Sequence, residues 1–176
     1  LGDVYKRQIL VVVILCMIFG GGSWKTPINN VMDVLNDGDG KAYEELMPPY
    51  YKDMADALDG IIDISDEDFD EEAEKQRDRL TKKYGDDAEI SYEVVKKTKV
   101  DSDDIDSYNE VSDVASILSS KKAKKYKLTK AYKVKIKYTI EGEDADKTDK
   151  TTVIVGKMDG TWVLLDEGDL PISTGF

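Results

Sequence analysis

The stretch 132–141, YKVKIKYTIE, decides the fold class because apolar and polar side chains alternate along it. This alternation is typical of a β-strand with one face buried and the other in water. One long strand of this kind predicts an antiparallel sheet with other elements packed on its apolar face. The predicted apolar face carries Tyr132, Val134, Ile136, Tyr138 and Ile140, and the predicted solvent face carries Lys133, Lys135, Lys137, Thr139 and Glu141.

Strand patterns continue downstream of this segment. We predict a polar loop over 142–150, a strand over 151–157 and a last strand over 162–165. Between these two strands stands Asp159-Gly160, and Asp-Gly is a strong hairpin signal because both positions tolerate a positive φ. The C-terminal third therefore predicts an antiparallel meander.

A further strand is predicted upstream, where Ile90, Tyr92 and Val94 alternate with polar residues in a strand running towards Val100. Helical periodicity then returns before 132–141: Asp101 or Ser102 can cap a helix that carries Ile105, Tyr108, Val111, Ala115 and Leu118 inward.

The N-terminal half is predicted to be helical. Thr26 is the expected N-cap of a helix that ends at 36–38, with Pro27 at the first helical position and Ile28, Val31, Met32 and Leu35 on one face. Further helices are predicted around 43–47, 51–62 and 65–84. Helices first, one helix between strands and then a meander is the order of an α+β fold.

Three segments carry a resemblance to a known family: 26–49 (TPINNVMDVLNDGDGKAYEELMPP), 84–97 (YGDDAEISYEVVKK) and 159–167 (DGTWVLLDE). They resemble the extracytoplasmic domains of the nuclear-transport-factor-like and cystatin-like superfamily in anchored proteins of Gram-positive bacteria, especially clostridia. The resemblance covers roughly 24–166. It implies helices packed into the concave face of a curved antiparallel sheet, with an open end that can form a pocket.

The same resemblance implies what precedes the domain. Many such clostridial proteins carry a cytoplasmic zinc ribbon, a membrane helix and a short glycine-rich linker. Here 9–19, ILVVVILCMIF, is an unbroken apolar run that follows Lys6 and Arg7 and precedes a Gly-Gly-Gly-Ser linker. This pattern indicates a retained single-pass anchor, with a cleaved signal peptide and a buried helix of a soluble protein as alternatives.

The run of eleven apolar residues is shorter than the roughly 20 that span a bilayer. The opening LGDVYKRQ resembles translated adapter read-through, so we interpret 1–8 as a non-native leader that replaces upstream sequence, with a zinc ribbon as one candidate for the missing portion. The expected organisation is this leader, an anchor or signal segment with its linker over 9–22, and an extracytoplasmic α+β domain over 23–176.

Composition excludes several function classes. The 37 acidic against 25 basic residues give a net charge of −12, whereas a nucleic-acid-binding protein needs a basic surface. There is no histidine, which removes Ser-His and Cys-His nucleophile pairs and the commonest zinc ligand. The single cysteine, Cys16, allows no disulfide framework. We therefore expect no cofactor, no metal and no nucleic-acid partner.

Two acidic clusters, at 36–40 and 101–106, raise the question of calcium binding. Neither has the EF-hand spacing, because Lys41 and Ile105 stand where oxygen ligands are required. An interhelical turn and a helix cap explain the two clusters better.

Two groups of residues are candidates for ligand contacts. Tyr92, Tyr132, Tyr138 and Trp162 could line a pocket, although aromatic residues at strand spacing more often belong to a core. Lys133, Lys135 and Lys137 could contact anionic lipid headgroups or phosphate-rich wall polymers, with a solvated sheet face as the alternative.

The expected function is a membrane-anchored extracytoplasmic binding or interaction module, or the sensing end of a larger protein. Its expected partners are the cell membrane, through the N-terminal segment, and an envelope ligand or protein. Two alternatives stay open: a small-molecule enzyme with a tyrosine and carboxylate pocket, and a structural spacer. The superfamily's isomerases and dehydratases use pocket Asp, Tyr or His residues, and no residue here could be matched to their catalytic pattern.

Overall fold

A computed structural model describes residues 22–49, 66–116 and 126–173, with the side chains of 66–67 and 110–116 left out. In these ranges the chain forms one curved antiparallel sheet with the strand order β1-β2-β3-β4. The predicted α+β class is confirmed. The elements in chain order are α1 (Thr26–Asp37), α2 (Gly40–Leu46), α3 (Asp66–Tyr84), β1 (Glu89–Lys99), α4 (Ser102–Ser116), β2 (Leu128–Glu141), β3 (Lys147–Met158) and β4 (Thr161–Asp166).

The predicted anchor at 9–19 and the predicted helix over 51–62 lie outside the described residues. Of the helices that are described, none has both the length and the hydropathy needed to cross a membrane.

Helix α1 has the expected apolar face and the expected end. Gly38 adopts a left-handed conformation with φ 65°, and its N–H donates to the carbonyl of Val34, which satisfies one of the orphan acceptors at the helix end. The predicted N-cap was wrong: Lys25 takes that position without a side-chain hydrogen bond, and Thr26 is already helical. The Asn29 N–H donates to the Lys25 carbonyl at 2.9 Å, so the helical hydrogen bonds begin one residue earlier than predicted and Pro27 is the second helical residue instead of the first.

The main core lies between the first three helices and one face of the sheet, which we call the inner face. It carries Val134, Ile136, Tyr138 and Ile140 of β2, as the alternation predicted, and all four are at most 1% exposed. Helices α1, α2 and α3 cover this face with apolar residues, among them Ile28, Val31, Leu35, Leu46, Ala73 and Leu80.

The opposite, outer face is not wholly in water. Near the start of β2, helix α4 covers it through Ile105 and Tyr108, which pack against Ala131 and Leu128. Gly156 of β3 sits in this packing, where an added Cβ would collide with the Leu128 and Leu165 side chains. The sequence predicted that α4 is amphipathic, and the structure adds that it packs on the side of the sheet opposite to the other helices.

Strand β1 is an edge strand with an irregularity. Up to Val94 its residues pair one to one with β2, and between Val94 and Lys96 the register shifts by one residue. Val94 pairs with Ile136, in keeping with the predicted alternation, yet it is 38% exposed, and Val95 is 51% exposed at this β-bulge.

Strand β3 begins earlier than predicted. Residues 147–150 were expected in a loop because they are polar, yet Lys147 pairs with Ile140 and Thr148 with Thr139. The two threonine hydroxyls lie 3.2 Å apart across the strands. Backbone pairing extends β3 here without apolar side chains. The Asp159-Gly160 hairpin is confirmed, and both residues have positive φ, 48° and 82°.

Candidate aromatic–lysine site

Three aromatic rings meet at the end of the inner face, near the start of β2. Tyr132 lies in the middle, with the Trp162 ring of β4 stacked on it at a centroid distance of 5.6 Å and an interplanar angle of 16°. The Trp24 ring, just before α1, meets the Tyr132 ring in an edge-to-face arrangement at a centroid distance of 6.3 Å and an interplanar angle of 68°. Trp162 is 9% exposed, whereas Trp24 and Tyr132 are half-buried. The rings therefore form a platform that solvent reaches at Trp24 and Tyr132.

Lysine side chains surround this platform. The Lys97 ammonium lies close to two rings at once, 4.7 Å from the Trp24 centroid and 4.6 Å from the Tyr132 centroid. Lys130 Nζ lies 5.3 Å from the Tyr132 centroid, and Lys25 Nζ lies 5.6 Å from the Trp24 ring. All three are within the range of a cation–π attraction. We call Trp24, Lys25, Lys97, Lys130, Tyr132 and Trp162 the aromatic–lysine cluster.

The β-bulge puts Lys97 into this cluster. In a regular strand, residues an odd number apart point to opposite faces, so Lys97 would leave the face that carries Tyr92. The extra residue in the bulge reverses this parity, and Lys97 then pairs with Val134 on the inner face. The same reversal pairs Lys99 with Tyr132. The bulge therefore adds positive charge to the aromatic end of the inner face.

The charged groups that shift the pKa of Tyr132 are all positive. Hydrogen bonding to Lys130, with the charges of Lys130, Lys97 and Lys99, lowers the pKa of the Tyr132 hydroxyl. Among the described residues, no carboxylate forms an ion pair with Lys25, Lys97 or Lys130. A locally positive, ring-lined surface thus stands on a molecule with a net charge of −12.

The structure brings together two of the four aromatic residues that the sequence singled out. Tyr132 and Trp162 stack directly, whereas Tyr138 is buried in the core, where its hydroxyl accepts from Lys147 at 2.7 Å and donates to the Asp169 carbonyl at 3.3 Å. Tyr92 is half-buried beside α1, and its hydroxyl donates to Asn29 Oδ1 at 2.6 Å.

The three lysines predicted to contact anionic polymers lie on the outer face, away from the cluster. Lys133 and Lys135 are exposed and Lys137 is half-buried. Lys133 Nζ lies 3.5 Å from Asp104 of α4. Exposed pairs of this kind contribute little to stability, so the stripe remains available for other anions.

The acidic segment 36–40 serves the fold. The Asn36 amide donates to the Ile90 carbonyl at 3.0 Å and accepts from the Ile90 N–H at 2.8 Å. Asp39 caps α2 by accepting from the Ala42 N–H at 3.1 Å. Within the part of the chain that the structure describes, no three Asp, Glu, Cys or His side chains are arranged to hold a metal ion.

One carboxyl group in this region has a perturbed pKa. Burial and the charges of Asp37, Asp39 and Glu45 raise the pKa of Asp33 to about 6. Asp33 lies in the second half of α1, whereas Trp24 precedes its first turn. The perturbed carboxyl and the perturbed tyrosine therefore stand at different ends of this helix.

Sequence reasoning did not single out Trp24, Lys25, Lys97 or Lys130. Lys97 was hidden because regular alternation places it on the outer face. A signal was present: the consecutive valines Val94 and Val95 break the alternation of β1, as a bulge does. Trp24 has no such signal, since it stands outside any periodic segment.

Comparison with protein-family models found no match, and neither the curated proteins nor the solved structures include a significantly similar one.

Proposed function

We propose that this chain is a non-catalytic binding module of the cell envelope that holds an anionic, carbohydrate-like ligand at the aromatic–lysine cluster. The observation that carries the proposal is the contact of the Lys97 ammonium with both the Trp24 and the Tyr132 ring, on a platform continued by Trp162.

The chemistry of the cluster supports a ligand with both a flat apolar face and a negative charge. Half-buried aromatic rings offer a surface on which the apolar face of a sugar ring can stack. In the described part of the chain no carboxylate pairs with Lys25, Lys97 or Lys130, and ammonium groups of this kind favour phosphate or carboxylate groups. A phosphorylated or uronic-acid-bearing glycan combines both features, whereas a free cation would meet three positive charges.

The N-terminal sequence supports the location. The basic flank, the apolar run at 9–19 and the glycine linker are typical of a membrane-anchored chain. The α+β order is also consistent with the proposed likeness to the nuclear-transport-factor-like and cystatin-like superfamily. In this proposal the anchor holds the domain outside the cytoplasm, facing wall polymers. External protease should then digest the domain in intact cells, and full protection would contradict this location.

Ligand binding is tested with the full chain in detergent micelles by isothermal titration calorimetry. The probes are a glycerol-phosphate polymer carrying sugar substituents, a neutral oligosaccharide with the same sugar, and inorganic phosphate. We expect only the first to bind, because it alone engages both rings and ammonium groups. A flat response to the substituted polymer would refute the proposed ligand class.

The matched variants are Lys97→Met and Lys135→Met, which remove the same charge from the inner and the outer face. Lys97→Met should weaken binding by about tenfold, the worth of one charge-assisted contact of about 1.4 kcal/mol. Lys135→Met should leave it unchanged. The opposite order would move the ligand to the outer stripe of Lys133, Lys135 and Lys137 and contradict the proposed site.

The enzyme alternative needs an acidic group beside a reactive tyrosine. Tyr132 has a lowered pKa, but the carboxyl with a raised pKa, Asp33, has Asp37, Asp39 and Glu45 as its charged neighbours. We therefore favour ligand binding over catalysis as the function of this cluster.

A further inference from the structure

Within residues 22–49, 66–116 and 126–173, strand β1 has no partner strand along one of its two long edges, since the sheet order of this part ends at β1. Open edges of this kind can pair with another chain. In the described part of the chain, the large apolar residues that are exposed are Val94, at 38%, and Val95, at 51%. Both lie in this edge strand.

The first part of the edge is already occupied. The Asn36 amide takes the N–H and the carbonyl of Ile90 in the manner of a neighbouring strand. Beyond this contact, residues 91–99 continue the strand past the two exposed valines. The bulge alone needs an extra residue but not an apolar one, so the exposure of two valines calls for a separate explanation.

The charges around the valines are self-complementary. The strand reads Glu93-Val94-Val95-Lys96, with an acid before the valines and a base after them. We propose that β1 pairs antiparallel with β1 of a second copy of this chain, centred between Val94 and Val95. In that register, Glu93 of each copy faces Lys96 of the other, and the valines face one another across the two-fold axis.

The charges and the strand direction favour a second copy of β1 over other strands as the partner. A neutral or basic strand would leave Lys96 without a carboxylate, and a strand in parallel orientation would place like charges together. The two sheets would join into one of eight strands, with their inner faces on the same side. Two aromatic–lysine clusters would then face one long ligand, although the pairing itself does not depend on the proposed ligand.

Charge reversal tests the pairing by sedimentation equilibrium of the full chain in density-matched micelles. Glu93→Lys and Lys96→Glu should each lower the association constant by about tenfold or more, because two attractive contacts per dimer become repulsive. An equimolar mixture of the two variants should associate as strongly as the original chain, since the mixed dimer restores both Glu–Lys contacts. Lys135→Glu, on the neighbouring strand, should change nothing.

Two outcomes would overturn the pairing. One is that the unsubstituted chain stays monomeric at every concentration that the experiment can reach. The other is equal association of all variants, which would assign self-association to the apolar N-terminal run. Thermal unfolding of each variant establishes that it is folded. The ligand affinity of Glu93→Lys should be unchanged, which would show that a loss of self-association is distinct from a loss of the proposed ligand binding.

Discussion

A single residue, Asp33, makes stability depend on pH. Its pKa in the folded state is raised from 3.8 to about 6, so between these values the folded state binds a proton that the unfolded state has lost. Stability therefore falls as the pH rises through this window. Because the side chain is only half-buried, solvent screening reduces the cost of its ionised form to on the order of 1 kcal/mol.

Asp33→Asn should therefore raise the free energy of unfolding by about 1 kcal/mol at pH 7.5 and have little effect at pH 4, where the carboxyl is already protonated. Urea unfolding at the two pH values measures this difference. Asp78→Asn removes the same charge from an exposed position of α3 and serves as the control. Equal stabilisation by Asp33→Asn at both pH values would contradict the assignment.

At the scale of the element, two asparagine side chains hold strand residues in the same way. Asn36 of α1 bonds both backbone groups of Ile90, and Asn109 of α4 bonds the N–H of Leu128 at 2.8 Å and its carbonyl at 3.1 Å. Each amide supplies one donor and one acceptor, as a neighbouring strand would. Side chains of the helices thus satisfy the backbone hydrogen-bonding groups of one residue at the start of β1 and one at the start of β2.

Replacing either asparagine by alanine should cost about 1–3 kcal/mol, because two partly buried backbone groups lose their partners. Each variant serves as the control for the other when amide hydrogen exchange is measured. Asn36→Ala should speed exchange at Ile90 and spare Leu128, and Asn109→Ala should do the reverse. Faster exchange at both positions in either variant would mean global destabilisation instead of a local contact.

The elements also divide into those that sequence patterns predict and those that they do not. Alternation in β2, the Asp159-Gly160 turn and the apolar face of α1 each follow from local periodicity or turn geometry, which the chain carries in neighbouring residues. The start of β3 at Lys147 depends on backbone pairing with β2. Such long-range partners leave no local pattern.

The candidate site was predicted less completely than the fold for the same reason. Tyr132 and Trp162 were named because they lie on predicted strands, and they stack in the structure. Trp24 and Lys97 join them only through the three-dimensional packing and the bulge. A contact between residues 24, 97, 132 and 162 is set by sheet topology, which no single window of the sequence contains.

At the scale of the whole molecule, the net charge of −12 sets how stability responds to salt. Repulsion among excess acids destabilises the compact state, and salt screens it. Raising NaCl from about 0.02 M to about 0.5 M should therefore raise the Tm by a few degrees, which corresponds to about 1 kcal/mol for a domain of this size. Differential scanning calorimetry measures the shift. KCl should give the same result, and a falling Tm would mean that attractive ion pairs outweigh net repulsion.

The contact of Tyr132 with two indole rings also determines which part of the molecule the tryptophan fluorescence reports on. The chain has two tryptophans, Trp24 and Trp162, and both contact this ring. Indole emission responds to the polarity and charge of its immediate surroundings. The tryptophan emission of the chain, excited selectively at wavelengths that tyrosine does not absorb, therefore originates at the aromatic–lysine cluster, and a change in its spectrum reports events there without any attached dye.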